Sequence, residues 1–265
     1  MALNTLSRSI FITGAAAGIG KAVAQCFASA GWFVGLSDVD EAALHDLAQT
    51  LGPSRCHVVR LDVSNAQDWS APLEDFWQAA GQRLDVLFNN AGIAITDAFE
   101  EVPAARHHRV IDINIKGVLN GCHAALPWLK QTRGARVINM CSASALYGQP
   151  MLATYSATKA AVRSLTESLD IEWQRHGIRV VDVLPLFVNT AMVANEVSKM
   201  KTVQALGVRL SADDVARTVW RLAQRAPDRL PVHSTVGWQT RLFYQLGKWS
   251  PDALNRIVTA RMAGY

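Results

Sequence analysis

The chain has 265 residues, half of them hydrophobic, and a formal charge of +4. That suits one domain with a large core, and no apolar run approaches the length of a membrane span. Seven histidines and four cysteines show no metal-ligand spacing, and the positive charge comes with no nucleic-acid recognition motif.

The first eight residues lack the charged-then-apolar layout of a signal peptide, which predicts a soluble, cytoplasmic protein. A short buried strand is predicted over 9–12 and a helix over 20–28. Between them runs Thr13-Gly14-Ala15-Ala16-Ala17-Gly18-Ile19-Gly20. Strand, glycine loop and helix together are the context in which such a loop binds a dinucleotide. Glycines permit a tight turn and let a pyrophosphate approach backbone N–H groups at the helix start. The second strand, 33–37, leads into Asp38, about 20 residues past the glycines, where an acid can bond the adenosine ribose hydroxyls. An acid there repels a 2′-phosphate, and no Arg or Lys adjoins it, which favours NAD over NADP. Asp38 also reads as a cap for the helix starting near Glu41.

Buried strands follow at 86–88, 136–140 and 179–184, continuous apolar or β-branched runs as in a parallel sheet covered on both faces. Asn90-Ala91-Gly92 lies at a strand's carboxyl end, where doubly wound folds bind ligands and small residues let the cofactor's adenosine side lie close. His107-His108 reads as a polar helix face, and Cys26, Cys56, Cys122 and Cys141 as reduced, mostly buried thiols. Tyr155 and Lys159 are spaced i, i+4, so on a helix the phenol and the ammonium share a face. A close cation lowers a phenol's pKa from its usual value of about 10. Such a tyrosine can exchange a proton with an alcohol or carbonyl. Taken alone, this pair also describes a surface phenol beside a solvated lysine.

Taken in order, these motifs resemble the short-chain dehydrogenase/reductase family. The resemblance rests on Thr13-Gly14-x-x-x-Gly18-Ile19-Gly20, Asp62-Val63 after the third strand, and Asn89-Asn90-Ala91-Gly92. It continues through Asn114 in the next helix, Ser142, and Tyr155-x-x-x-Lys159. It implies a doubly wound α/β (Rossmann-type) fold and an NAD-dependent oxidoreductase acting on a secondary alcohol or ketone. It also implies a catalytic tetrad of Asn114, Ser142, Tyr155 and Lys159. Cofactor contacts are expected from Gly14, Gly18, Ile19, Gly20, Asp38, Asp62, Val63, Asn90, Ala91, Gly92, Tyr155, Lys159 and Thr190. Lys159 is expected on the nicotinamide ribose, Ser142 on the substrate oxygen, and Asn114 on a water linking Lys159 to solvent. One position departs: Pro185-Leu186-Phe187-Val188-Asn189-Thr190 has Leu186 where the family usually has glycine. The two competing readings are a catalytically silent dinucleotide-binding regulator, disfavoured by the intact tetrad, and a sugar-nucleotide epimerase or dehydratase of the same superfamily, disfavoured by the loop spacing and the lack of an added substrate domain.

No linker or repeat divides 1–265, so one dinucleotide-binding and catalytic domain is expected. Within it, 186–210 is a patternless, mobile substrate loop and 235–265 an amphipathic extension. Ala143, Ser144, Leu146, Tyr147, Leu186 and Phe187 are the expected pocket, mostly apolar. The last strand is predicted over 230–232. After Ser211 come eight basic and four acidic residues, with Trp238, Leu242, Leu246 and Trp249 at helical spacing and a fresh helix start at Ser250-Pro251-Asp252. Three readings stand for this stretch: cover for the pocket or a partner subunit, contact with an anionic membrane surface, or ordinary packing with a basic outer face. The first is favoured, with bulky Trp238, Phe243 and Trp249 buried against the substrate side. A homodimer or homotetramer is expected through the helix carrying Tyr155.

Overall fold

The computed structural model describes residues 7–265, the side chain of Lys248 excepted. The stretch 1–6, on which most of the leader reading rests, lies outside the described residues.

Six strands alternate with helices: β1 (Ser9–Thr13), β2 (Phe33–Asp38), β3 (Cys56–Arg60), β4 (Val86–Asn89), β5 (Arg136–Met140) and β6 (Arg179–Leu184). Two short strands, β7 (Val188–Asn189) and β8 (Leu210–Ser211), form a separate pair, and β9 (His233–Thr235) closes the main sheet. The order is β3-β2-β1-β4-β5-β6-β9, every pairing parallel. Every residue of β1 and of β5 is buried, as the apolar runs predict. One face is covered by α1 (Gly18–Ser29), α2 (Glu41–Leu51) and α8 (Ala212–Gln224). The other is covered by α3 (Ser70–Ala79), α5 (Gly117–Leu129) and α6 (Ala153–Trp173). Phe11 on β1 meets Phe76 of α3 edge-on at 5.2 Å, and both are fully buried, each such side chain worth roughly 2 kcal/mol in transfer alone. Chain order reverses between β1 and β4, and the crevice at the carboxyl ends of those strands is the place a doubly wound sheet offers a ligand.

Three local expectations change. The last strand is His233–Thr235 rather than 230–232, because Pro231 has no N–H for a ladder and pairing with β6 begins at Asp182 opposite His233. The stretch 186–210 is not patternless: it holds β7, a π turn (Val193–Val197), α7 (Lys201–Leu206) and the start of β8. Asn114 sits not in a regular helix but in a π turn (Asp112–Lys116) between α4 (Ala104–Ile111) and α5, where Gly117 N–H reaches back five residues to the Asp112 carbonyl.

After β9 come α9 (Gly237–Trp249) and α10 (Asp252–Ala263), with Pro251 at the start of α10 as the sequence implies. They lie over the substrate side, but their bulky residues are not buried as expected. Trp238 and Trp249 are 67% and 87% exposed. Only part of each helix's surface can face the protein, so Trp238 stays outside while Phe243 is half-buried. Among the described residues no helix is long and apolar enough to cross a membrane.

Candidate active site

Two adjoining cavities meet at Tyr155. The first is a cleft of about 350 Å³ across the β1–β4 crevice. Of the residues expected there, Gly14, Gly18, Ile19, Asp38, Asp62, Val63, Asn90, Ala91, Gly92, Ser142, Tyr155, Lys159 and Thr190 all line it. Gly20 and Asn114 do not line the cleft; both stand behind it.

The floor is set by a clamp between β1 and β4. Thr13 Oγ1 accepts the N–H groups of Asn90 and Ala91 at 2.9 and 3.0 Å, and Asn90 Nδ2 donates to the carbonyls of Thr13 and Gly14 at 2.9 and 3.1 Å. Gly14 turns with φ +68°, a conformation that favours glycine. A Cβ at Gly20 would stand 2.0 Å from the Gly14 carbonyl oxygen, so the loop lies directly on α1. No side chain caps the first turn of α1, which opens into the cleft at Ala17, Gly18 and Ile19. Uncapped N–H groups at a helix N-terminus are an anion seat, and they fit the diphosphate of a dinucleotide.

Asp38 ends β2 beside this loop. Its carboxylate accepts the N–H groups of Ala16 (3.2 Å), Val39 (2.7 Å) and Asp40 (3.2 Å). The helix-cap reading of Asp38 is overturned: Asp40 caps α2, accepting from Ala43 N–H at 3.1 Å. Farther along, Asp62 is held by Ser64 and by the Arg109 guanidinium at 3.2 Å. Burial raises its pKa, but the hydrogen bonds from Ser64 and Arg109 outweigh this and leave it below the usual carboxylate range. Arg109 lines the cleft and gave no signal in the sequence, where it is one more polar residue of a helix. Its helix neighbour His107 is more than a polar face: its ring joins Thr154 Oγ1 at 2.7 Å and stacks on Phe99.

Ser142, Tyr155 and Lys159 come together as expected. Ser142 follows β5 in extended backbone, accepts from Ser144 N–H at 3.2 Å, and lines both cavities together with Tyr155. One turn along α6, the Lys159 ammonium stands 5.5 Å from the centre of the Tyr155 ring and donates to the Met140 carbonyl at 2.8 Å. The electrostatics differ from the expectation. Burial pushes the Tyr155 phenol up to about 12, against the lowering effect of Ser142. Burial also lowers Lys159. The dry site disfavours both charged forms. Asn114 is fully buried: its side chain pairs with both backbone groups of Ile93 at 2.9 Å and donates to Thr158 Oγ1 at 3.2 Å. It therefore pins the strand end carrying Gly92 against α6. Cys141 is buried beside Ser142 with its thiol bonded to the Lys159 carbonyl, and all four cysteines are free.

The second cavity is a chamber of about 650 Å³, walled by Ser142, Ala143, Ser144, Leu146, Tyr147, Leu186 and Phe187, as expected. Its far wall comes from the C-terminal extension, as the favoured reading of 235–265 expects: Phe243, Leu246 and Trp249 of α9 and Leu254, Val258 and Met262 of α10, with Trp238 outside it. Helical spacing after 237 marks the extension, but it does not single out Leu246, Leu254, Val258 and Met262 as wall residues. Leu186 stands where the two cavities meet and lines both. Among the described residues there is no cluster of three or more potential metal ligands.

Comparison with known proteins agrees with this geometry. The family model for short chain dehydrogenases matches residues 8–201. Sulfoacetaldehyde reductase 2 of Chromohalobacter salexigens is 33% identical over 258 residues, covering 95% of this chain and all of the relative. The structure of the 3-ketoacyl-(acyl-carrier-protein) reductase from Brucella melitensis complexed with NADH superposes with a TM-score of 0.79 at 28% identity, over 87% of this chain and 97% of that one. That of ElxO with NADP bound gives 0.78 at 25% identity, over 87% and 97%. The chain belongs to the short-chain dehydrogenase/reductase family, oxidoreductases that use a nicotinamide dinucleotide.

Proposed function

We propose that the protein transfers a hydride between NAD and an apolar secondary alcohol or ketone. The observation that carries this reading is the placement of Ser142 and Tyr155 on the border between the polar cleft and the apolar chamber. The bound dinucleotide supplies the hydride donor or acceptor. The protein's groups then divide the remaining work. The α1 N-terminus and the glycine loop hold the diphosphate, and Asp38 takes the adenosine ribose hydroxyls. Asp38 also supports NAD over NADP, since its carboxylate would face a 2′-phosphate with no free cation beside it among the described residues. The cleft's arginine, Arg109, is engaged by Asp62 and Ser64.

Ser142 hydrogen-bonds the substrate oxygen and Tyr155 gives or takes the proton there. Lys159 anchors the nicotinamide ribose. The water expected at Asn114 is held through the π turn's main chain, since the side chain is committed to Ile93 and Thr158. The chamber excludes water from the reacting centre and accepts apolar substituents. The family's two-fold pairing through α5 and α6 fits the exposed Leu119 and Ile171, so the reading includes a homodimer or homotetramer.

The test is reduction of NAD⁺ across a panel of secondary alcohols, repeated with NADP⁺. On the best substrate Tyr155→Phe should keep NADH affinity and lower turnover by roughly 10² to 10⁴. Near-wild-type turnover in that variant would refute the mechanism.

A further inference from the structure

We propose that the outward face of α9 and α10 docks on an anionic lipid bilayer. The inference goes beyond the hydride-transfer reading and does not depend on it. On α9, Trp238, Leu242, Leu246 and Trp249 are spaced by four, four and three residues, which places them in one stripe, and all four are exposed. On α10, Leu254, Ile257 and Val258 are exposed as well. Among the described residues, seven of the large exposed apolar side chains lie on these two consecutive helices.

Charge selects the occupant. Residues 237–265 hold Arg241, Lys248, Arg256 and Arg261 against Asp252 alone. Arg241, Arg256 and Arg261 are exposed on the same two helices. A second copy across a two-fold axis would set this basic face against itself. An anionic headgroup layer instead meets both features: tryptophan rings and aliphatic side chains sit at the acyl boundary while arginines reach the phosphates. The chamber's position supports this. Leu246, Trp249, Leu254 and Val258 are exposed and also line the chamber, so the apolar cavity abuts the proposed docking face. The face also lies past residue 201, where the match to the family model ends.

The test is co-sedimentation of the full-length protein with vesicles of phosphatidylcholine alone or with roughly 30% phosphatidylserine. Binding to the anionic vesicles, weakened by salt, is expected. The double variant Trp238→Glu, Leu242→Glu should bind at least about tenfold more weakly. Arg256→Gln with Arg261→Gln should lose about thirtyfold on anionic vesicles and little on neutral ones. An unchanged circular dichroism melt establishes that each variant is folded. Vesicle binding is read without turnover, so it stands or falls separately from the reaction. Three results would overturn the proposal: no sedimentation with either vesicle, folded Glu variants binding as wild type, or a dimer dispersed by the Glu variants with no vesicle binding.

Discussion

Replacing Gly20 by alanine tests whether the glycine loop is the cofactor's seat. The new Cβ would stand 2.0 Å from the Gly14 carbonyl oxygen and 2.8 Å from Asn90 Nδ2. Real contacts of this kind stay beyond 3.0 Å, so the loop must move by about 1 Å. The neighbour is backbone, not the end of a flexible side chain, and the Asn90 bond to that same carbonyl is lost. Overpacking costs about 1–3 kcal/mol and a lost hydrogen bond about 1 kcal/mol. The sum, roughly 2–4 kcal/mol, corresponds to a drop in melting temperature of about 5–15 °C for a chain of this size. Displacing N–H groups that face a diphosphate removes at least one bond to a charged group, about 1.5–3 kcal/mol, so NADH affinity should fall at least about tenfold. Thermal melts and NADH fluorescence titration measure the two effects. Gly148→Ala is the control, since a Cβ there meets nothing within 4 Å. A Gly20→Ala protein with wild-type melting and NADH affinity within twofold would refute the assignment.

Asp38→Ser combined with Val39→Arg should shift preference toward NADP by removing a repelling carboxylate and adding a phosphate partner; the ratio of kcat/KM for the two cofactors measures it, and equal use of both by the wild type would count against Asp38 as the selector. His233→Leu should destabilise the fold by roughly 3 kcal/mol, because it leaves a buried carboxyl without its partner. Asp182 is fully buried and meets His233 Nδ1 at 2.9 Å. A chemical-denaturation midpoint equal to wild type would show that the pair contributes nothing.

The sheet was legible because its strands are uniform. Runs such as Val137-Ile138 and Val180-Val181 are buried on both faces, so each is continuous in sequence and ends where the apolar run ends. The cleft was legible for a related reason: its contacts are mostly backbone, and backbone contact demands glycine or another small residue at fixed spacing. What escaped depends on partners distant in the chain. Arg109 matters through Asp62, 47 residues away. The chamber's far wall comes from helices that are amphipathic in sequence, and the pattern cannot say which stripe faces the protein. Of the bulky residues expected against the substrate side, Phe243 and Trp249 reach the chamber while Trp238 stays outside it. The phenol's electrostatics escaped because i, i+4 spacing reports proximity of a cation and says nothing of how dry the site is.

That dryness sets the pH behaviour of the reaction. Burial pushes Tyr155 up to about 12 and Lys159 down from its usual value. As pH rises, Lys159 therefore gives up its charge before Tyr155 ionises, and phenolate gains no cation partner from the chain itself. The protein alone thus presents Tyr155 as a proton donor, which is the state that carbonyl reduction consumes. Alcohol oxidation needs the phenolate, whose fraction grows tenfold per pH unit below the phenol's pKa. With a ketone, kcat/KM should be level across neutral and mildly alkaline pH. With the matching alcohol it should climb by about tenfold per unit from pH 7. Initial rates in both directions over pH 6–10 measure this. An oxidation rate already level at about pH 7 would mean that Tyr155 ionises near neutrality and that the lysine, not burial, governs the phenol.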